Sequence, residues 1–200
     1  MVSGKARVES VCVYCGSSNA ARPEFLQQAA SLGRALADAS MELVYGGGGI
    51  GLMGACARAA HEAGGKVLGI MPNFLRAKEI LYDEVETIVV PNMHQRKQLM
   101  FERSDAFVVL PGGVGTLEEI VELLSWKRLG LHDKPVVFVD IDGFWKPFFD
   151  LINHTITERL TPGSFAQAWY AVGSAEEVVP LLQSLVTDDE PNEMAAVILT

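Results

Sequence analysis

Twice in this chain an apolar run of strand length passes through a glycine-rich loop straight into a helical pattern. The first passage runs from strand 42–45 through Gly46-Gly47-Gly48-Gly49-Ile50-Gly51-Leu52-Met53-Gly54 into helix 52–63. The second runs from strand 106–110 through Pro111-Gly112-Gly113-Val114-Gly115-Thr116-Leu117-Glu118-Glu119 into helix 116–129. A strand that turns directly into a helix must cross over before the next strand pairs with it, and such crossovers build parallel sheets. The rest of the chain repeats the alternation. Strands are expected at 10–15, 66–71, 135–140 and 168–172, with a short extra one at 86–90 before Pro91. Helices are expected at 23–39, 93–103, within 143–160 and at 176–185. This pattern predicts an α/β fold, a doubly wound parallel sheet with helices on both faces, forming a single domain over residues 1–186. Sheets of this kind bind ligands beyond the carboxyl ends of their strands, where both glycine loops fall. Residues 187–200, with Asp188, Asp189, Glu190 and Glu193, read as an acidic, flexible tail.

The formal charge of −9 argues against nonspecific binding to nucleic acid or to an anionic membrane, while leaving room for a small basic pocket. No apolar run approaches the roughly 20 residues of a membrane span. The first ten residues lack the apolar stretch of a signal peptide, so a cytoplasmic protein is expected. Cys12 and Cys15 form a C-x-x-C, but inside an apolar strand residues three apart point to opposite faces, so they can neither pair nor share a metal. No metal site is expected.

The first loop holds G-x-G-x-x-G in two overlapping frames, a weak signal by itself. A dinucleotide site also needs an acidic residue about 20 positions on, and Gly69-Ile70-Met71-Pro72 supplies none. The loop therefore serves either close approach of a ligand or helix–sheet packing. The second loop is more informative: Gly112, Gly113 and Gly115 can expose a row of backbone N–H groups at a helix start, with the Thr116 hydroxyl beside them, which makes a phosphate cradle. It lacks the G-K-[ST] of a nucleoside triphosphate loop. Glu119 admits two readings: a capping-box partner of Thr116, or a carboxylate beside a ribose.

Pro91-Asn92-Met93-His94-Gln95-Arg96-Lys97 reads as a helix start capped by Asn92, with Gln95 completing a capping box. Arg96 and Lys97 then sit in or just past the first turn, against the helix dipole, at a cost of roughly 0.3–1 kcal/mol each. They are either solvated surface charges or part of a site where an anion compensates them. His94 suits a structural or hydrogen-bonding role.

The two segments Met93–Lys97 and Pro111–Glu119 strongly resemble the Lonely Guy (LOG) family, the cytokinin riboside 5′-monophosphate phosphoribohydrolases once labelled lysine decarboxylases. The family pattern P-G-G-x-G-T-x-x-E is matched in full, and the likeness runs from Cys15-Gly16-Ser17-Ser18 to Leu129-Gly130-Leu131-His132-Asp133-Lys134-Pro135. The resemblance implies a Rossmann-like fold that takes a nucleoside 5′-monophosphate and releases free base and ribose 5-phosphate, with no cofactor. It implies Arg96 and Glu119 as the catalytic pair, the loop from Gly112 through Gly113 and Gly115 to Thr116 as the phosphate holder, and Lys97 and Glu79 as substrate contacts. Gly47, Gly48 and Ser17 complete the expected substrate-binding set. A homodimer or larger homo-oligomer is expected too. The alternative on the same scaffold is a non-catalytic carrier of a phosphorylated pterin, the molybdenum cofactor.

Overall fold

The computed structural model describes residues 7–76 and 82–187. Its seven strands are β1 (Ser10–Tyr14), β2 (Glu42–Tyr45), β3 (Val67–Pro72), β4 (Glu86–Val90), β5 (Ala106–Val109), β6 (Val136–Val139) and β7 (Tyr170–Val172). They form one sheet in the order β4-β3-β2-β1-β5-β6-β7, parallel throughout. The helices are α1 (Pro23–Asp38), α2 (Gly51–Glu62), the single turn α3 (Asn73–Arg76), α4 (Met93–Glu102), α5 (Val114–Arg128), α6 (Lys146–Thr157) and α7 (Val178–Thr187).

The two-residue period of a strand sorts the core into two layers. Val11, Val13, Leu43, Tyr45, Val108 and Val139 face one way and pack with Leu32, Leu36, Leu52, Cys56 and Leu182 of α1, α2 and α7. Cys12, Tyr14, Val44, Phe107, Val109 and Phe138 face the other way and meet Met100, Ile120, Leu123 and Phe148 of α4, α5 and α6. Cys12 and Cys15 therefore lie in opposite layers, and both are buried free thiols, as is Cys56. The central strands are buried on both faces, which is why they read as near-continuous apolar runs.

The strand order reverses between β1 and β5. From β1 the chain proceeds outward through β2, β3 and β4, then returns to place β5 on the other side of β1. The loops leaving these two neighbours diverge at this point and open the crevice where ligands bind in such sheets. The acidic segment after residue 187 and Glu79 lie outside the described residues.

One contact on the α1–α2 face has no slack. A Cβ at Gly33 would come within 2.2 Å of the Cys56 carbonyl oxygen, so the two helices meet backbone to backbone only because residue 33 has no side chain. Alanine is the better helix former by about 1 kcal/mol. Overpacking here outweighs that preference, and Gly33→Ala should lower stability by about 2 kcal/mol, measured as the shift in urea midpoint.

Candidate active site

At the end of β5, Leu110 N–H donates to Tyr14 O at 3.0 Å, and Gly16 N–H donates to Pro111 O at 3.0 Å. The loop after β1 and the second glycine loop are thus stitched together at the switch point, which puts Ser17, exposed to solvent, in the same region. The two glycine loops look alike in sequence and differ in what their amides do. At the start of α2, Gly51 N–H donates to Asn19 Oδ1 at 3.0 Å, while Leu52 and Met53 N–H donate to Gly16 O at 3.0 and 3.4 Å. That helix start is satisfied from within. At the start of α5, by contrast, the amides of Gly112, Gly113, Val114, Gly115 and Thr116 take no acceptor among the described residues; the first capped amide is Leu117, which donates to Gly113 O at 3.0 Å.

The glycines divide in the same way. A Cβ at Gly46 would sit 2.0 Å from the Arg96 guanidinium, one at Gly51 2.5 Å from Ser17, and one at Gly54 2.2 Å from the Gly49 carbonyl oxygen. Gly47 holds φ +82, and Gly47 and Gly48 are both buried. Packing and backbone conformation account for Gly46, Gly47, Gly51 and Gly54. In the second loop Gly112 is required because the Thr116 side chain folds over it, 2.2 Å from where a Cβ would be. Gly113 and Gly115 need no positive φ, and a Cβ on either would meet nothing within 4 Å. Neither the fold nor the backbone asks for glycine there. Glycine at both positions leaves the loop amides open to close approach from outside the chain.

The helix behind this loop begins two residues earlier than the sequence pattern suggested. Gly113 occupies the cap position and Val114 the first turn, so Thr116 is already the third helical residue. The Thr116–Glu119 capping box therefore does not form, and Glu119 is free of its own helix end. It lies on α5 with its side chain 12% exposed, and its charge is felt by Cys12, Tyr14 and Cys15 at the end of β1.

On α4 the Asn92 cap forms as expected, its Oδ1 accepting from Gln95 N–H at 2.9 Å. Arg96 is not a surface charge. Its Nε donates to Ile70 O and its Nη2 to Gly46 O, both at 3.1 Å, and Nη1 reaches toward Met93 Sδ at 3.8 Å. The carbonyls just past β2 and within β3, rather than an anionic ligand, offset the guanidinium's awkward place in the first turns of α4. What remains is Nη1, 4.0 Å from Glu119 Oε1. Lys97 turns toward α5, where Glu118 and Glu122 hold its ammonium at 2.5 and 2.9 Å. Burial lowers its pKa, and the bonds to those two carboxylates more than reverse this. His94 is exposed. The pairing of Lys97 with Glu118 and Glu122 was not foreseen, although their i, i+4 spacing on α5 puts both on one face and could have suggested it.

Glu119 is pulled two ways. Burial raises its pKa, Arg96 lowers it, Glu118 and Glu122 raise it and Lys97 lowers it; the outcome is a carboxyl pushed up to about 7. At 4.0 Å, with two of its nitrogens engaged by carbonyls, Arg96 only partly offsets the burial. A buried carboxyl beside a single guanidinium, titrating near neutrality at the edge of a row of free amides, is equipped to exchange protons next to a bound anion.

The geometry defines a Rossmann-like protein with a row of open amides and a paired acid at the switch point of its sheet. A model of the family described as possible lysine decarboxylase matches residues 53–182. A cytokinin riboside 5′-monophosphate phosphoribohydrolase of Arabidopsis thaliana is 42% identical over 181 residues, covering 90% of this chain and 79% of the relative. One from Oryza sativa subsp. japonica is 38% identical over 187 residues, 93% of this chain and 77% of the relative. Among solved structures, the molybdenum cofactor binding protein of Rippkaea orientalis matches with TM-score 0.68 at 24% identity, over 90% of this chain and 99% of its own. The molybdenum cofactor carrier protein of Chlamydomonas reinhardtii matches at 0.69 and 22%, over the same shares. At these identities the structural likeness is one of fold. The sequence likeness is closer, and the chain belongs to the Lonely Guy family.

The folded protein binds the Glu119 proton more tightly than the unfolded chain does, so stability is highest below the ordinary glutamate pKa. It falls as pH rises from about 4.5 toward about 7. Glu119→Gln removes this loss. In urea unfolding at pH 5 and pH 8, the variant should gain on wild type as pH rises, by up to ~3 kcal/mol at pH 8.

Proposed function

We propose that this protein hydrolyses the N-glycosidic bond of nucleoside 5′-monophosphates, cytokinin riboside 5′-monophosphates and AMP among them, to free base and ribose 5-phosphate. The observation that carries the reading is the pair Gly113 and Gly115: two glycines with open space before them, in a row of amides without protein acceptors, next to a buried carboxyl. Amides at a helix start suit a phosphate dianion. Holding the phosphate fixes the ribose through binding energy spent away from the reacting bond.

In the reaction the pair of electrons in the bond from C1′ to the base leaves with the base, and positive charge grows on the ribose. Ionised Glu119 stabilises that charge and accepts a proton from the water that attacks C1′, and the departing nitrogen takes up a proton. Arg96, fastened to Gly46 and Ile70, keeps Glu119 in place without fixing its protonation. The decarboxylase label asks for a lysine amine able to form a Schiff base, and Lys97 is instead held as an ammonium by two carboxylates. The carrier reading needs the cradle and leaves Arg96 beside Glu119 without a task.

Base release from AMP and N6-isopentenyl-AMP, followed by chromatography, tests the assignment. Glu119→Gln and Arg96→Ala should each lose turnover by about 10²-fold or more. Gly115→Ala should fold with unchanged or slightly raised stability and yet raise KM for AMP by about tenfold. Full turnover in correctly folded Glu119→Gln protein would falsify the role given to that residue, and a nucleotide that copurifies unchanged with no base released would favour the carrier.

The expected self-association has a candidate surface. Val114, 84% exposed, and the exposed Leu117 and Val121 fall three and seven residues apart on one face of α5, beside the cradle. A second copy of this chain covers that face in our reading, and Val121→Glu should convert the dimer to monomer in sedimentation velocity. The three buried free thiols suit a reducing compartment, in keeping with a cytoplasmic location.

A further inference from the structure

Arg96 and Glu119 are not electrically alone. Next to Arg96 on α4, Lys97 is held between Glu118 Oε1 and Glu122 Oε2 of α5. A tie between the two helices needs one carboxylate; this one has two, and the second changes the balance of charge. The two cations, Arg96 and Lys97, are matched by Glu118 and Glu122, which leaves the Glu119 carboxylate as the surplus anion. Glu122 is 30% exposed and Glu118 51%, so the charge of Glu122 is the less screened by water.

We propose that Glu122, acting through the Lys97 ammonium it holds, is a positioning residue that keeps Glu119 from being fixed in its ionised form. Among the described residues, the groups that face Glu119 come from two helices and from β1 and the residue after it. From α4 come Arg96 and Lys97, from α5 Glu118 and Glu122, and from the end of β1 Cys12, Tyr14 and Cys15. Burial pushes the last three up, so they stay neutral at working pH. The four charges on α4 and α5 therefore decide how firmly the carboxyl is held. With Glu122 neutral, two cations would face Glu118 alone, and Glu119 would be held as a carboxylate, a poorer acceptor for a proton from water. The catalytic value of this arrangement rests on the hydrolase reading; the charge coupling itself does not.

The test follows the Glu119 carboxyl directly. Its ¹³C resonance, assigned by its loss in Glu119→Gln, is titrated in the full-length protein without substrate. Glu122→Gln keeps the shape and a hydrogen bond to Lys97 while removing the charge, and it should move the Glu119 midpoint acidward by about half a pH unit. Lys97→Gln should move it the opposite way, and Glu118→Gln should move it acidward as Glu122→Gln does. The acid limb of kcat/KM for AMP should follow the midpoint in Glu122→Gln. Midpoints that stay at the wild-type value in folded Glu122→Gln and Lys97→Gln overturn the proposal; should Glu122→Gln not fold, the alkaline move in Lys97→Gln decides. A midpoint that moves as expected in protein releasing no base from any nucleoside monophosphate supports the coupling and sinks the hydrolase reading instead.

Discussion

The Arg96 guanidinium carries a charge it cannot shed, and it is buried at the carboxyl ends of two neighbouring strands. It is tolerable there because the Gly46 and Ile70 carbonyls, at the end of β2 and within β3, accept two of its donors. Much else follows from that placement. Residue 46 can carry no side chain, because the guanidinium occupies its space. The start of α4 is fixed relative to the sheet, so Lys97 one position on is aimed at α5. The last nitrogen is left facing Glu119 at 4.0 Å, close enough to lower its pKa and too far to cancel the cost of burial. An arginine closer or freer would hold a permanent carboxylate, and one farther away would leave a carboxyl that seldom ionises.

The two glycine loops show why a motif is not yet a site. In the first, the amides that open α2 are consumed by Asn19 and by the Gly16 carbonyl, and the glycines make room for other parts of the chain. Gly16 does three jobs at once: its carbonyl caps the start of α2, its amide holds Pro111, and the resulting link sets the second loop beside the end of β1. The first loop thus supports the second. The amides of the second loop, without acceptors among the described residues, lie where the sheet order reverses.

The charges near the cradle leave the site one negative charge in excess when Glu119 is ionised. Proton uptake by Glu119 removes that excess in the free enzyme, at a pH near neutrality. A growing positive charge on a ribose would remove it during reaction. The same arrangement is a strain on the fold, since a buried carboxyl that ionises near neutrality makes the protein less stable as pH rises.

Much of this could be read from the chain alone. The alternation of apolar runs with helical patterns determined the parallel sheet, and the alternation within strand 10–15 separated Cys12 from Cys15. The match over Pro111–Glu119 and Met93–Lys97 named the family and the candidate site residues. Periodicity and short motifs carry this information because they depend on neighbours within one turn or one strand. Three things required the tertiary structure. Whether Thr116 capped its helix turned on the Gly113 backbone, which starts α5 early. Whether Arg96 met a ligand or the protein turned on Gly46 and Ile70, 50 and 26 residues away in the chain. Which glycines served packing turned on atoms such as the Cys56 and Gly49 carbonyls and the Ser17 backbone. Each is a question about which group fills a given space, and spacing along a sequence does not encode how distant segments share a volume.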